Sequence, residues 1–120
     1  MEAFEDFCRA NCVPDAARQA ADLALEEHLT NVLTYGFTEG EERWISVRLR
    51  VRNNTLCVTV TDTGSPYDPL DAPAVDTSIP LEEKPIGGLG VHLMKQVMDN
   101  LSHTREGRKN VLQMTKAFRD

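Results

Sequence analysis

Apolar positions along the chain follow two different periods. Phe4, Phe7, Cys8 and the stretch from Ala10 to Cys12 recur at helical spacing and predict a short first helix, broken near Val13-Pro14. Pro14 suits the first turn of a longer, Ala- and Leu-rich helix from about Asp15 to Tyr35, for which Gly36 is a plausible stop. The period then changes to two. Ile45, Val47, Leu49 and Val51 alternate with Ser46, Arg48 and Arg50, and after Asn53-Asn54 a second run alternates Leu56, Val58 and Val60 with Cys57, Thr59 and Thr61. This is a hairpin with one apolar face, which helices must cover.

From Gly64 to Gly87 the pattern dissolves into a segment punctuated by Pro66, Pro69, Pro73, Pro80 and Pro85. A loop that long in a small domain is functional or disordered. A helix follows from near Leu89, with Leu89, Leu93, Met94, Val97 and Leu101 on one stripe. A closing hairpin spans Leu101 to Arg105, a Glu106-Gly107-Arg108-Lys109 turn, and Val111, Leu112 and Met114. Helices, then strands, then helix and strands predict an α+β fold: a two-layer sandwich with a mostly antiparallel sheet and helices on one face.

The 120 residues suffice for a single domain, and 41% hydrophobic residues suffice for one core. A net charge of −6 and the absence of basic runs argue against nucleic acid as a direct partner. No apolar stretch reaches the length of about 18 residues that a membrane span needs, and the acidic start at Glu2, Glu5 and Asp6 does not resemble a signal peptide. A cytoplasmic protein is expected. Cys8, Cys12 and Cys57 are odd in number and stand at no familiar ligand spacing from His28, His92 or His103, so buried free thiols are expected rather than a disulfide or metal site.

Candidate chemistry sits in three places. Glu27 and Asn31, at i, i+4 on the long helix, project from one face about 40° apart, beside the small Ala20 and Ala24. A solvated Glu and a tolerated helical Asn remain the alternative. Asp62 continues the inward parity of Leu56, Val58 and Val60, so the buried face ends in a carboxylate that requires a donor. It either caps the turn at Thr63-Gly64-Ser65-Pro66 or accepts an exocyclic amino group of a ligand, with Gly64 leaving room for a flat ring. The cluster Gly87-Gly88-Leu89-Gly90 opens a helix, whose unpaired N–H groups and positive dipole end suit phosphate; a loose helix entry is the alternative. It is not a Walker motif, because no Gly-Lys-Ser/Thr follows. An amino-group acceptor and a phosphate cradle, joined by a segment able to fold over the ligand, together describe a nucleotide site with a lid at about 65–87.

These residues carry a family resemblance. Glu27-x-x-x-Asn31, the run Asp62-Thr63-Gly64-Ser65-Pro66-Tyr67-Asp68-Pro69, and Gly88-Leu89-Gly90-Val91-His92-Leu93 resemble the N, G1 and G2 boxes of the GHKL ATPase/kinase superfamily with its Bergerat ATP-binding fold. They are most similar to its anti-sigma-factor serine/threonine kinases of the RsbW and SpoIIAB type. The resemblance implies a histidine-kinase-like ATPase domain over 1–120. It implies that Asn31 holds Mg²⁺ bridging the ATP phosphates, that Asp62 accepts the adenine amino group with Gly64 against the base, and that Gly88, Leu89, Gly90, Val91 and His92 contact phosphate. Glu27 would be the general base for γ-phosphoryl transfer to a protein Ser or Thr.

The implied function is that of an ATP-dependent anti-sigma factor kinase. Its partners would be a STAS-domain anti-anti-sigma protein and a sigma factor, with a homodimer as an open option. The alternative is a nucleotide-dependent module that sequesters its partner without phosphorylating it. Departures from the family pattern are Tyr35 where relatives often carry His, Thr34 in place of a basic residue, and Asn110 roughly where relatives often have Thr. The family's usual N-terminal strand also has no counterpart before the first helix.

Overall fold

A computed structural model of the chain describes residues 2–37, 42–66 and 88–119. Helix α1 (Glu2–Ala10) buries Phe4 and Cys8, and in the turn that follows it Cys12, with a φ of 56°, reverses the chain into α2 (Asp15–Asn31). Pro14 stands at the N-cap of α2, one place outside the predicted first turn, where its fixed φ still suits a helix entry. The long helix does not continue regularly to Tyr35. Regular α-helix stops at Asn31, and Val32–Gly36 form a wider π turn, which ends with extended Phe37. That turn delivers the Gly36 carbonyl to the Ser65 N–H at 2.8 Å, a long-range bond that helical periodicity cannot announce.

Strands β1 (Ile45–Arg52) and β2 (Thr55–Asp62) form the predicted hairpin. Its turn residues Asn53 and Asn54 have φ of 52° and 53°, the left-handed pair that a two-residue hairpin turn demands and Asn tolerates. Helix α3 (Gly88–Val97) then crosses to β3 (Asn100–Glu106), and β4 (Lys109–Ala117) returns between β3 and β2. The sheet order is β1-β2-β4-β3, antiparallel throughout.

Leu101, which the pattern put both on the α3 stripe and at the start of the closing hairpin, lies in β3 and pairs with Met114 of β4, and Met98 takes the buried place beyond the helix. The sheet captures the chain early because Asp99 is bound on both sides: its N–H reaches Thr115 O at 2.9 Å, and its carboxylate accepts the Ala117 N–H at 2.6 Å.

The core lies between the helices and one face of the sheet. Ala17, Ala21, Ala24 and Leu25 of α2 meet Leu56, Val58, Val60, Leu112 and Met114, with Met94 and Met98 closing the far side. Each large side chain fully removed from water contributes about 1.5–3 kcal/mol. The small alanines let α2 lie close to the sheet, which brings its C-terminal end to the ends of β2 and β4. Arg48, Arg50, Thr59, Thr61 and Gln113 line the opposite face of the sheet, which none of the described helices covers. The α+β architecture with helices on one face is therefore as the sequence predicts. Of the cysteines, Cys8 is buried, but Cys12 is exposed, because α1 ends before it and the turn carries it outward.

Candidate functional site

Glu27 and Asn31 project from α2 onto the first turn of α3. A Cβ on Gly90 would lie 2.8 Å from Glu27 Oε2 and 3.3 Å from Asn31 Nδ2, so any side chain at Gly90 would enter the space that the carboxylate and amide share. Gly90 thus stands at a close approach to the free ends of both side chains. Asn31 is 6% exposed, and its Nδ2 has no hydrogen-bond partner among the described residues. A buried, unpartnered amide costs about 1–3 kcal/mol, which a ligand oxygen would recover. Beside it, Gly88 opens α3, so the first-turn backbone N–H groups, which have no partner within the helix, and the positive end of the helix dipole lie next to this pair. Val91 is buried in the core, leaving only its backbone for a ligand, and His92 is half-buried. Gly87 and the predicted lid beyond Pro66 lie outside the described residues.

The second part of the site lies at the end of β2. Asp62 is 3% exposed, as its inward parity predicts. Its Oδ1 accepts two hydrogen bonds, from Gly64 N at 2.9 Å and from Asn110 Nδ2 at 3.0 Å. One oxygen therefore caps the turn, which is the first of the two sequence readings of Asp62; the second, an acceptor for a ligand's amino group, would fall to Oδ2. Gly64 has a reason the sequence did not reveal. A Cβ there would run into the Gly36 carbonyl oxygen and lie 3.0 Å from Asp62 Oδ1. The glycine is needed for chain packing, whatever room it also leaves for a ring.

Two further residues complete this cluster: Asn110, marked in the sequence as standing roughly where relatives often have a Thr that meets the adenine site, and Arg105, which the sequence reading passed over. Asn110 of β4 also donates to Ser65 O at 2.9 Å, and Arg105 Nη1 of β3 donates to Gly64 O at 2.9 Å and to Asn110 Oδ1 at 3.0 Å. Arg105 had a signal only through strand register, which aligns Asp62 with Asn110, and Asn110 with Arg105, across adjacent strands.

His28, one turn before Asn31 on α2, was likewise passed over. It is 2% exposed, and neither ring nitrogen has a hydrogen-bond partner among the described residues. Burial pushes its pKa down to about 4; the Asp62 carboxylate pulls it back up and His103 lowers it further. The imidazole is therefore neutral at pH 7.

The donor set fits a nucleotide with its cation. Asn31 offers a buried amide, Glu27 a carboxylate, and the α3 N-terminus anion-binding N–H groups, while Asp62 offers an acceptor at the opposite end. Among the described residues no group of His, Cys, Asp and Glu forms a protein-only metal site, so a cation here would draw most of its ligands from phosphate and water.

The chain is similar to known proteins in sequence and in fold. The chain is 31% identical over 93 residues to the serine/threonine-protein kinase BtrW of Bordetella bronchiseptica, covering 78% of this chain and 66% of that protein. It is 32% identical over 99 residues to the serine-protein kinase RsbW of Halalkalibacterium halodurans, covering 78% of this chain and 59% of that protein. The match thus spans less than two thirds of either relative's length. Among solved structures, the histidine kinase domain of the blue-light activated histidine kinase from Erythrobacter litoralis superposes with a TM-score of 0.60 at 22% identity, covering 87% of this chain and 48% of that one. The Acinetobacter baumannii histidine kinase AdeS superposes at 0.54 and 14% identity over 86% of this chain and 48% of that one; both likenesses concern the fold alone. With residues 1–116 matching the family described as the histidine kinase-like ATPase domain, the chain belongs to that family.

Proposed function

We propose that this protein is an ATP-dependent serine/threonine kinase that acts as an anti-sigma regulatory factor and phosphorylates a STAS-domain anti-anti-sigma partner. The observation that carries the reading is the convergence of Glu27 and Asn31 on Gly90 at the start of α3. It brings a candidate base and a candidate cation ligand to a helix N-terminus, which is suited to phosphate. The names of the two kinase relatives support the reaction class.

In this reading Asp62 accepts the adenine amino group and the phosphates run toward α3. The partner's hydroxyl oxygen bonds to the γ-phosphorus as the bond to the β–γ bridging oxygen breaks, leaving ADP. Glu27 takes the hydroxyl proton. Asn31 holds Mg²⁺, which when bound offsets the charge on the phosphates. The phosphorylation state of the partner would in turn control release of a sigma factor.

The test is transfer of labelled γ-phosphate from Mg·ATP to STAS-domain proteins of the source genome, by the wild type and by Glu27→Gln. Transfer should fall at least a hundredfold in the variant while nucleotide affinity holds. Nucleotide binding without transfer to any of these proteins would refute the kinase reading and leave only the nucleotide site.

A further inference from the structure

Asp62, Asn110 and Arg105 occupy one row across three adjacent strands, β2, β4 and β3. Each link of the row has a direction. Arg105 donates to Asn110 Oδ1, and Asn110 donates from Nδ2 to Asp62 Oδ1. The same Nδ2 holds Ser65 O and the same guanidinium holds Gly64 O, so the row also fixes the turn that follows Asp62. Arg105 is itself braced by a bond from its Nε to Gly107 O at 3.2 Å, at the β3–β4 turn, where Gly107 has φ 61°.

The direction of these bonds matters for what Asp62 can recognise. An Asn amide turned the other way would aim its oxygen at the carboxylate and its NH₂ at the guanidinium, placing acceptor against acceptor and donor against donor. Arg105 excludes that orientation. With Nδ2 facing it and the Gly64 N–H beside it, Asp62 Oδ1 is an acceptor twice over. That leaves Oδ2 as the atom presented to a ligand. A carboxylate Oδ2 accepts from a 6-amino group and repels a 6-oxo group.

We propose that Asn110, held the right way round by Arg105, is the positioning residue that makes this site select a 6-aminopurine over a 6-oxopurine. The proposal rests on the nucleotide-site reading above and adds the residues that set its base preference. Neither residue needs to touch the nucleotide: both act through Asp62.

The experiment is isothermal titration of the full chain with Mg·ADP and Mg·IDP, nucleotides whose bases present an amino and an oxo group at the same position. It is run on the wild type, Asn110→Asp and Arg105→Ala. Asn110→Asp keeps the shape but turns the donor into a second carboxyl, which can share a proton with Asp62 and let it donate. The wild type should bind ADP more tightly, Asn110→Asp should cut the ADP:IDP preference at least tenfold, and Arg105→Ala should cut it severalfold. In each variant the loss should fall on ADP, with IDP affinity held or improved.

A ratio unchanged in both variants, or ADP and IDP weakened in parallel as a merely structural role would produce, overturns the proposal. Because Arg105 is an exposed position on an edge strand, its variant keeps the test decidable if Asn110→Asp does not give a cooperative melt. A wild type that binds neither nucleotide refutes the nucleotide-site reading instead, and the two failures are told apart by the wild-type titration alone.

Discussion

Asn110 sits directly across the β2–β4 pair from Asp62 and donates its Nδ2 to Asp62 Oδ1 at 3.0 Å. The bond joins the last inward position of one strand to the second residue of another that begins 47 residues later in the chain. It ties the proposed base-recognition end of the site to the sheet itself rather than to the loop that follows Asp62. A carboxylate held by the sheet loses little further freedom when a ligand binds.

Replacing Asp62 by Asn should therefore change recognition more than stability. Gly64 N and Asn110 Nδ2 both require an acceptor, so the new amide oxygen takes the Oδ1 place and its NH₂ takes the Oδ2 place. That NH₂ would face the adenine amino group, donor against donor. Mg·ATP affinity should fall about a hundredfold, or about 3 kcal/mol, with the thermal midpoint shifted by only a few degrees. Titration calorimetry beside a melting curve checks both, and wild-type ATP affinity in the variant would remove Asp62 from the site.

Gly90→Ala separates activity from stability in the opposite way to a core mutation. The new Cβ meets the free end of the Glu27 side chain, 2.8 Å away, and that carboxylate can swing aside. Helix propensity rises by about 1 kcal/mol, so urea unfolding should show no loss of stability. Phosphoryl transfer to the partner should fall at least tenfold, because Glu27 and Asn31 no longer converge. Undiminished transfer would contradict the geometry proposed for the base.

Gly64→Ala behaves differently because its neighbour is backbone. The Gly36 carbonyl that a Cβ would strike already accepts the Ser65 N–H, so it cannot move without breaking that bond. A loss of about 1–3 kcal/mol is expected in urea denaturation without any nucleotide present. A variant as stable as the wild type would show that the Gly36–Gly64 approach is loose in solution.

His28 predicts an acid-sensitive fold. Its folded-state pKa of about 4 lies below the ordinary 6.5, so between these values the unfolded chain binds the proton that the folded one refuses. Its share of stability is complete above pH 6.5, declines as pH falls toward 4, and amounts to about 3 kcal/mol across the window. Urea midpoints from pH 7 to 4 should show this decline, and His28→Leu should flatten it. An equal slope in the variant would assign the acid sensitivity to other groups.

The elements themselves were legible because their causes are local. Alternation along β1 and β2, the Asn53-Asn54 turn and the proline entry to α2 depend on residues within a few positions of each other. So did the pairing of Glu27 with Asn31, which helical period alone places on one face, and the inward aim of Asp62, which follows from strand parity. The early end of α3 and the π turn after Asn31 were not legible. Each is set by a hydrogen bond to a distant segment, Asp99 to β4 and Gly36 to Ser65.

The sequence by itself thus determined the order of helices and strands, the apolar face of each, and the motif residues that mark a nucleotide site. Tertiary structure alone decided that Gly90 lies under Glu27 and Asn31, that His28 is buried without a hydrogen-bond partner among the described residues, and that Asp62, Asn110 and Arg105 form one directed row. The reason is physical: periodicity reports which way a side chain points from its own element. Which atoms it meets depends on the register and packing distance of elements far apart in the chain.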